Sequence, residues 1–189
     1  MIKANSLLIS LFVLIAAGLT SWSMLLSHHN YKVSSDLLST PPDAYMDGVV
    51  ATILNDQGKP ALKIKTPHMV HYAETNMTRL LKPNVIIFRE SPKPWYVTSD
   101  YAELSHGIEQ IIFQNHVVIH HPSDIANPMT TMTTASLTVF PSKQIAQTES
   151  AITIKQPDIV VNAVGMFANL QDGTIKLLSE ARGEYAPNS

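Results

Sequence analysis

From Tyr101 to Ile119 the chain reads YAELSHGIEQIIFQNHVVI, and apolar residues alternate with polar ones in short runs. A period of two puts one row of side chains on one face of a sheet. His106-Gly107 supplies a tight turn and Asn115-His116 a kink, so the stretch predicts strand, turn, strand, kink, strand. The unit recurs. Ala102-x-Leu104 is echoed by Ala135-x-Leu137 and by Ala168-x-Leu170, 33 residues apart each time. Each unit closes on a second pair: Val117/Ile119, then Ile152/Ile154, then approximately Gly183/Tyr185. A weaker copy, Val70/Tyr72 answered by Val85/Ile87, precedes them. Repeated two-strand rungs imply stacked rungs that share one core.

The rest of the chain agrees with a sheet. Thr, Val and Ile are frequent and charged residues make up 15% of the sequence, a balance that favours strands over surface helices. After residue 43 no segment shows a helical period, while Asn55-Asp56-Gln57-Gly58 and Asp172-Gly173 are turn signals. The expected fold is all-β: a sandwich, a jellyroll or an open β-taco of stacked antiparallel strands, with the repeat favouring the taco. The 189 residues contain no cysteine, which excludes a disulfide framework and thiolate chemistry. A net charge of −2 without a Lys/Arg cluster argues against nucleic-acid binding.

The amino-terminal segment differs from all of this. Residues 1–6 carry Lys3, and residues 7–26 (LLISLFVLIAAGLTSWSMLL) are uncharged and almost wholly apolar. At about 1.5 Å per residue such a run matches the hydrocarbon core of a bilayer. Trp22 falls where an indole prefers the interface. A cleaved signal peptide is the competing reading, but the small residues Ala16-Ala17-Gly18 lie inside the apolar run, which continues past them. The sequence predicts a retained single-pass anchor at 7–26, after a cytoplasmic start at 1–6. A linker at 27–42 and a β-domain at 43–189 follow. Lys3 keeps the start cytoplasmic and sends the domain outward.

Signals for catalysis are poor. There is no phosphate-cradling glycine loop and no nucleophile elbow. Glu103 and Glu109 flank a turn as a solvated rim. His116 and His120 could share a strand face, but no third ligand is implied, so no metal, cofactor or catalytic residue is assigned. The apolar row is more informative. Val70, Tyr72, Val85, Ile87, Ala102, Leu104, Phe113, Val117, Leu137 and Val139 are expected to face inward, followed by Ile152, Ile154, Met166, Ala168, Leu170, Ile175 and Leu177. One reading is an ordinary closed core. The other is an apolar groove that shelters lipid chains, since burying each methylene is worth about 0.8 kcal/mol. For that groove the candidate residues are Val49, Tyr72, Leu80, Val85, Ile87 and Leu104, then Phe113, Val117, Leu137, Met166, Leu170 and Ile175.

Asp47-Gly48, Gly58, WYVTSDYAEL (95–104), FQNHVVI (113–119), TTASLTV (133–139) and GMFANLQDGTIKLLSEARGEY (165–185) follow the anchor in order. In order, spacing and attachment to an anchor this pattern resembles the LptC family of lipopolysaccharide export, over nearly the whole chain. The resemblance implies a jellyroll open as a V-shaped groove, anchored in a bacterial inner membrane with its domain in the periplasm. It implies that lipopolysaccharide arrives from the transmembrane subunits of an ATP-driven, ABC-type extractor. The cargo then passes to a soluble periplasmic jellyroll bridge protein. The chain has no P-loop of its own. The carboxy-terminal edge expected to meet the bridge comprises Thr174, Ile175, Lys176, Leu177 and Tyr185. A membrane-tethered structural β-scaffold without lipid binding is the alternative.

Overall fold

A computed structural model of the chain describes residues 41–89, 93–125, 127–171 and 173–185. The expected anchor and the linker up to residue 40 lie outside these residues. Among the described residues no helix is long and apolar enough to cross a membrane. The strands are β1 (Ala44–Leu54), β2 (Pro60–Tyr72), β3 (Met77–Leu81), β4 (Asn84–Ile87), β5 (Trp95–Thr98) and β6 (Tyr101–Ser105). They continue with β7 (Gln110–His121), β8 (Thr130–Phe140), β9 (Ile145–Gln156), β10 (Ile159–Asn169) and β11 (Ile175–Tyr185). They form one antiparallel sheet in the order β11-β10-β9-β8-β7-β5-β4-β2-β3-β6, with β1 on β2 and β6 returning to β7.

The sheet is bent along a line that crosses every strand path. On that line sit left-handed backbone positions at Gly48 (φ 62°), Lys82 (44°), Asn115 (61°), His116 (49°), Gly165 (76°) and Glu180 (51°). The ladder registers slip there, between Gln114 and Val117 of β7, Thr134 and Thr138 of β8, and Val164 and Met166 of β10. Bulges bend a strand without ending it. For this reason β9 and β10 each run unbroken across the bend. On the paths β3–β4 and β5–β6 the bend instead breaks the strand. At Gly165 two demands coincide: a positive φ, and a Cβ that would lie 2.9 Å from Leu178 Cδ1.

Bending frees carbonyls from the ladder, and hydroxyls answer them. The buried Thr66 hydroxyl donates to the carbonyls of Leu81 (2.7 Å) and His68 (2.9 Å). Ser99 donates to Tyr101 (2.6 Å), Thr134 to Ala151 (2.9 Å) and Ser179 to Val164 (3.0 Å). A buried acceptor left without a donor costs about 1–3 kcal/mol. Thr66→Val, which keeps the shape and removes the donor, is expected to lower stability by about that amount. Chemical denaturation checks this: the midpoint falls at unchanged slope, whereas an unmoved midpoint would show that the bend holds without the hydroxyl.

The line divides the sheet into two facing walls. Wall A holds β3, β6 and residues 44–47, 68–72, 110–114, 136–140, 145–148, 166–169 and 175–179. Wall B holds β4, β5 and residues 49–54, 60–66, 117–121, 130–134, 151–156, 159–164 and 182–185. Their inner faces make one core, from Leu80 and Phe113 of wall A to Val85 and Val97 of wall B. Across wall B a single row runs Ala51–Ile64–Val85–Val97–Ile119–Met132–Ile154–Val161–Gly183.

Two sequence expectations need correction. Val70 and Tyr72 do not face inward. Leu80 is buried and pairs with Met69, which packs on the core, so the intervening Val70 and Tyr72 point out. Arg79 lies 5.4 Å over the Tyr72 ring on that outer face. The cause is the bend. Inward Thr66 and inward Met69 are an odd number of residues apart, and an odd step across a bend reverses the alternation. The 33-residue echo also fails as a register. Hairpins do recur, but Ala102 shares a cross-strand row with Phe113 and Leu137, while Ala135 is exposed at the bend.

Candidate functional site

On the inner face of wall A one row reads Leu104–Ile111–Val139–Ala146–Ala168–Ile175. The side chains shrink to methyls at Ala146 and Ala168, and the core opens there. An apolar cavity of about 60 Å³ lies between the walls. From wall A it is lined by Leu137, Val139, Ala146, Met166, Ala168 and Ile175. From wall B the lining is Ile87, Trp95, Val97, Ile119 and Met132. Toward the free ends of the walls it continues into a wider mouth of about 710 Å³; both are bounded by Ile87, Arg89, Trp95, Val139, Leu170 and Gly173. The mouth runs between the β1–β2 and β4–β5 connections of wall B and the β8–β9 and β10–β11 turns of wall A.

Of the candidate groove residues, Ile87, Leu137, Met166, Leu170 and Ile175 line this cavity. Leu80, Val85, Leu104, Phe113 and Val117 are buried in the filled part of the core. Val49 is half-buried on β1, at the edge of the sheet. Tyr72, as above, is on the outer face. The cavity-lining residues outside both the expected inward row and the groove candidates are Arg89, Trp95, Val97, Ile119, Met132, Ala146, Asn169 and Gly173. The alternation in WYVT could have found Trp95 and Val97. Nothing in IAQTES distinguishes Ala146 as part of a cavity wall.

At the mouth His121 is 2% exposed, its Nε2 3.6 Å from Asp124 Oδ2 and its ring 4.6 Å from that of Trp95. The two histidines considered as ligands from sequence are engaged separately: Nδ1 of His116 lies 2.6 Å from Asp100 Oδ2, and that of His120 lies 3.2 Å from the Thr131 hydroxyl. Among the described residues no group of three or more His, Asp or Glu stands where it could hold a metal ion. The partner-edge residues Ile175, Lys176, Leu177 and Tyr185 lie on β11, which among the described residues pairs only with β10, and Thr174 immediately precedes it.

A bent antiparallel sheet with an apolar interior that opens between its walls defines a jellyroll-like β-scaffold. The chain belongs to the family described as "Lipopolysaccharide-assembly, LptC-related", which matches residues 13–186. Among solved structures it is similar to LptH from Pseudomonas aeruginosa, the LptA homologous periplasmic component of the conserved lipopolysaccharide transport device. That likeness has a TM-score of 0.52 at 8% identity, over 67% of this chain and 95% of that one, and concerns the fold. No curated protein matches the sequence.

Proposed function

We propose that this protein is a membrane-anchored periplasmic carrier of lipopolysaccharide. It receives the lipid from the transmembrane subunits of an ATP-driven extractor and passes it to a soluble periplasmic jellyroll. The observation that carries the reading is the apolar cavity continuous with a broad mouth, in a chain of a lipopolysaccharide-assembly family. A twelve-carbon acyl chain in water forgoes about 10 kcal/mol of burial. A dry channel between two walls removes that barrier without any reacting group, and the energy input comes from the extractor.

Photocrosslinkers test the path. At Ile87, Leu170 and Ile175, which line the cavity, they are expected to capture lipopolysaccharide while the extractor hydrolyses ATP. At Thr98, Gln114 and Phe167, which alternate with inward residues, they are expected to remain silent. Leu80 and Phe113 are poor positions because their side chains pack into the filled core. Equal labelling of both sets would remove the idea of a directed apolar path. Residues 7–26 are proposed to persist as the anchor. Mass spectrometry of the membrane-extracted protein should then find the apolar run intact, and an amino terminus beyond residue 20 would end that claim.

A further inference from the structure

The lining of the mouth changes character where the cavity ends. Trp95 opens β5, is half-buried, and borders both spaces, so its indole sits at the boundary between apolar and polar surroundings. The neighbouring His121 ring, with its centroid 4.6 Å away and tilted 38° to the indole, packs against it. Around the mouth stand carboxamides from three separate turns: Asn55 and Gln57 between β1 and β2, Gln144 between β8 and β9, and Gln171 between β10 and β11. The Oδ1 of Asn55 accepts from the backbone N–H of Gln57 (3.0 Å) and Lys59 (2.9 Å), which fixes the turn and leaves its amide hydrogens for other partners. The side chains of Gln57, Gln144 and Gln171 make no protein hydrogen bond among the described residues.

We propose that the mouth binds the saccharide head of the lipid whose acyl chains enter the cavity, with Trp95 as the platform on which a sugar ring stacks. The proposal rests on the carrier reading above and specifies which part of the ligand the polar rim recognises. A carboxamide donates and accepts, which is what a hydroxyl on a sugar also does. An indole offers a flat apolar face of negative potential to the polarised C–H bonds of a pyranose. An acyl chain would use neither. Carboxamides from both walls around one mouth, with an aromatic ring at its border with an apolar cavity, suit a ligand that is sugar at one end and hydrocarbon at the other.

Lipopolysaccharide stripped of its acyl chains by alkali isolates the saccharide. With the full-length protein in lipid nanodiscs, saturation-transfer NMR is expected to show magnetisation passing to sugar protons, beyond empty nanodiscs. Trp95→Leu keeps the apolar lining and is expected to weaken saccharide affinity about tenfold, the scale of one or two net hydrogen bonds. Trp95→Tyr should restore most of it. Gln144→Leu, whose side chain is exposed, should also weaken binding, and Gln114→Ala on the outer face should not. Absence of transfer to the wild type, or equal affinity in all variants, overturns the proposal. If lipid capture at Ile175 persists in that event, the carrier reading stands without a sugar site. If capture fails as well, both fall.

Discussion

Ala168→Leu is expected to leave the fold intact and to reduce lipid capture at Ile175 on the order of a hundredfold, because each acyl methylene kept out of the cavity forgoes about 0.8 kcal/mol. Ala168 is 6% exposed and its methyl forms part of the cavity wall beside that of Ala146, its partner on β9. An isobutyl group at this point occupies the space the chain would take. Excluding three or four methylenes costs about 3 kcal/mol of binding, which is roughly the hundredfold loss. The competing effect is overpacking, which costs the fold about 1–3 kcal/mol when extra methylenes enter a tight core. Here the space already exists, so thermal unfolding should be unchanged or slightly raised. A variant that folds as the wild type and still captures lipid at wild-type level would show that acyl chains do not use this cavity.

Ile175→Pro combined with Leu177→Pro is expected to weaken binding of the soluble periplasmic jellyroll by tenfold or more while β11 stays on its sheet. β11 has β10 on one side and no strand on the other among the described residues. Such an edge either aggregates or recruits a strand. The backbone N–H of Asn169 bonds the carbonyl of Thr174 at 2.9 Å. In an antiparallel ladder the bonding direction alternates, so Lys176 turns its backbone toward β10 while Ile175 and Leu177 turn theirs to the open side. Proline at those two positions removes two donors from the free edge and none from the β10 pairing. Each net hydrogen bond is worth about 1 kcal/mol, which sets the expected loss. A partner strand added here would join the sheet by backbone pairing and extend the apolar row past Ile175, so an acyl chain need not meet water at the joint. Truncation before residue 174 should abolish the pull-down, though it also removes part of the cavity. If the double-proline variant pulls down the partner at wild-type strength, the docking surface lies elsewhere, with the other edge strand, β1, next to be tested.

The features legible in the sequence are those that depend on neighbouring residues. Alternation in YAELS and QIIF, and the Thr-rich run before Phe140, specify strands because a side chain's face depends only on its parity along a regular strand. His106-Gly107 is a turn with both residues at positive φ, and Asn115-His116 is a kink of the same hand. A strand after the Asp172-Gly173 turn signal, β11, was legible in the same way. The family pattern was carried by the same local features.

The tertiary structure decided what parity cannot carry across a bend. Thr66 to Met69 is an odd step and Phe113 to Val117 an even one, so the inward face must be re-established after each bend. Reading Tyr72 outward requires knowing that Met69 pairs with Leu80. The cavity belongs to the same category. It exists because Ala146 and Ala168, separated by a hairpin, become adjacent in one row, and because Trp95, Val97 and Met132 stand on the opposite wall. No window of sequence holds both halves. A void is a property of the distance between two surfaces and of the volume of side chains that meet across it, and those distances are set only when the bent sheet closes on itself.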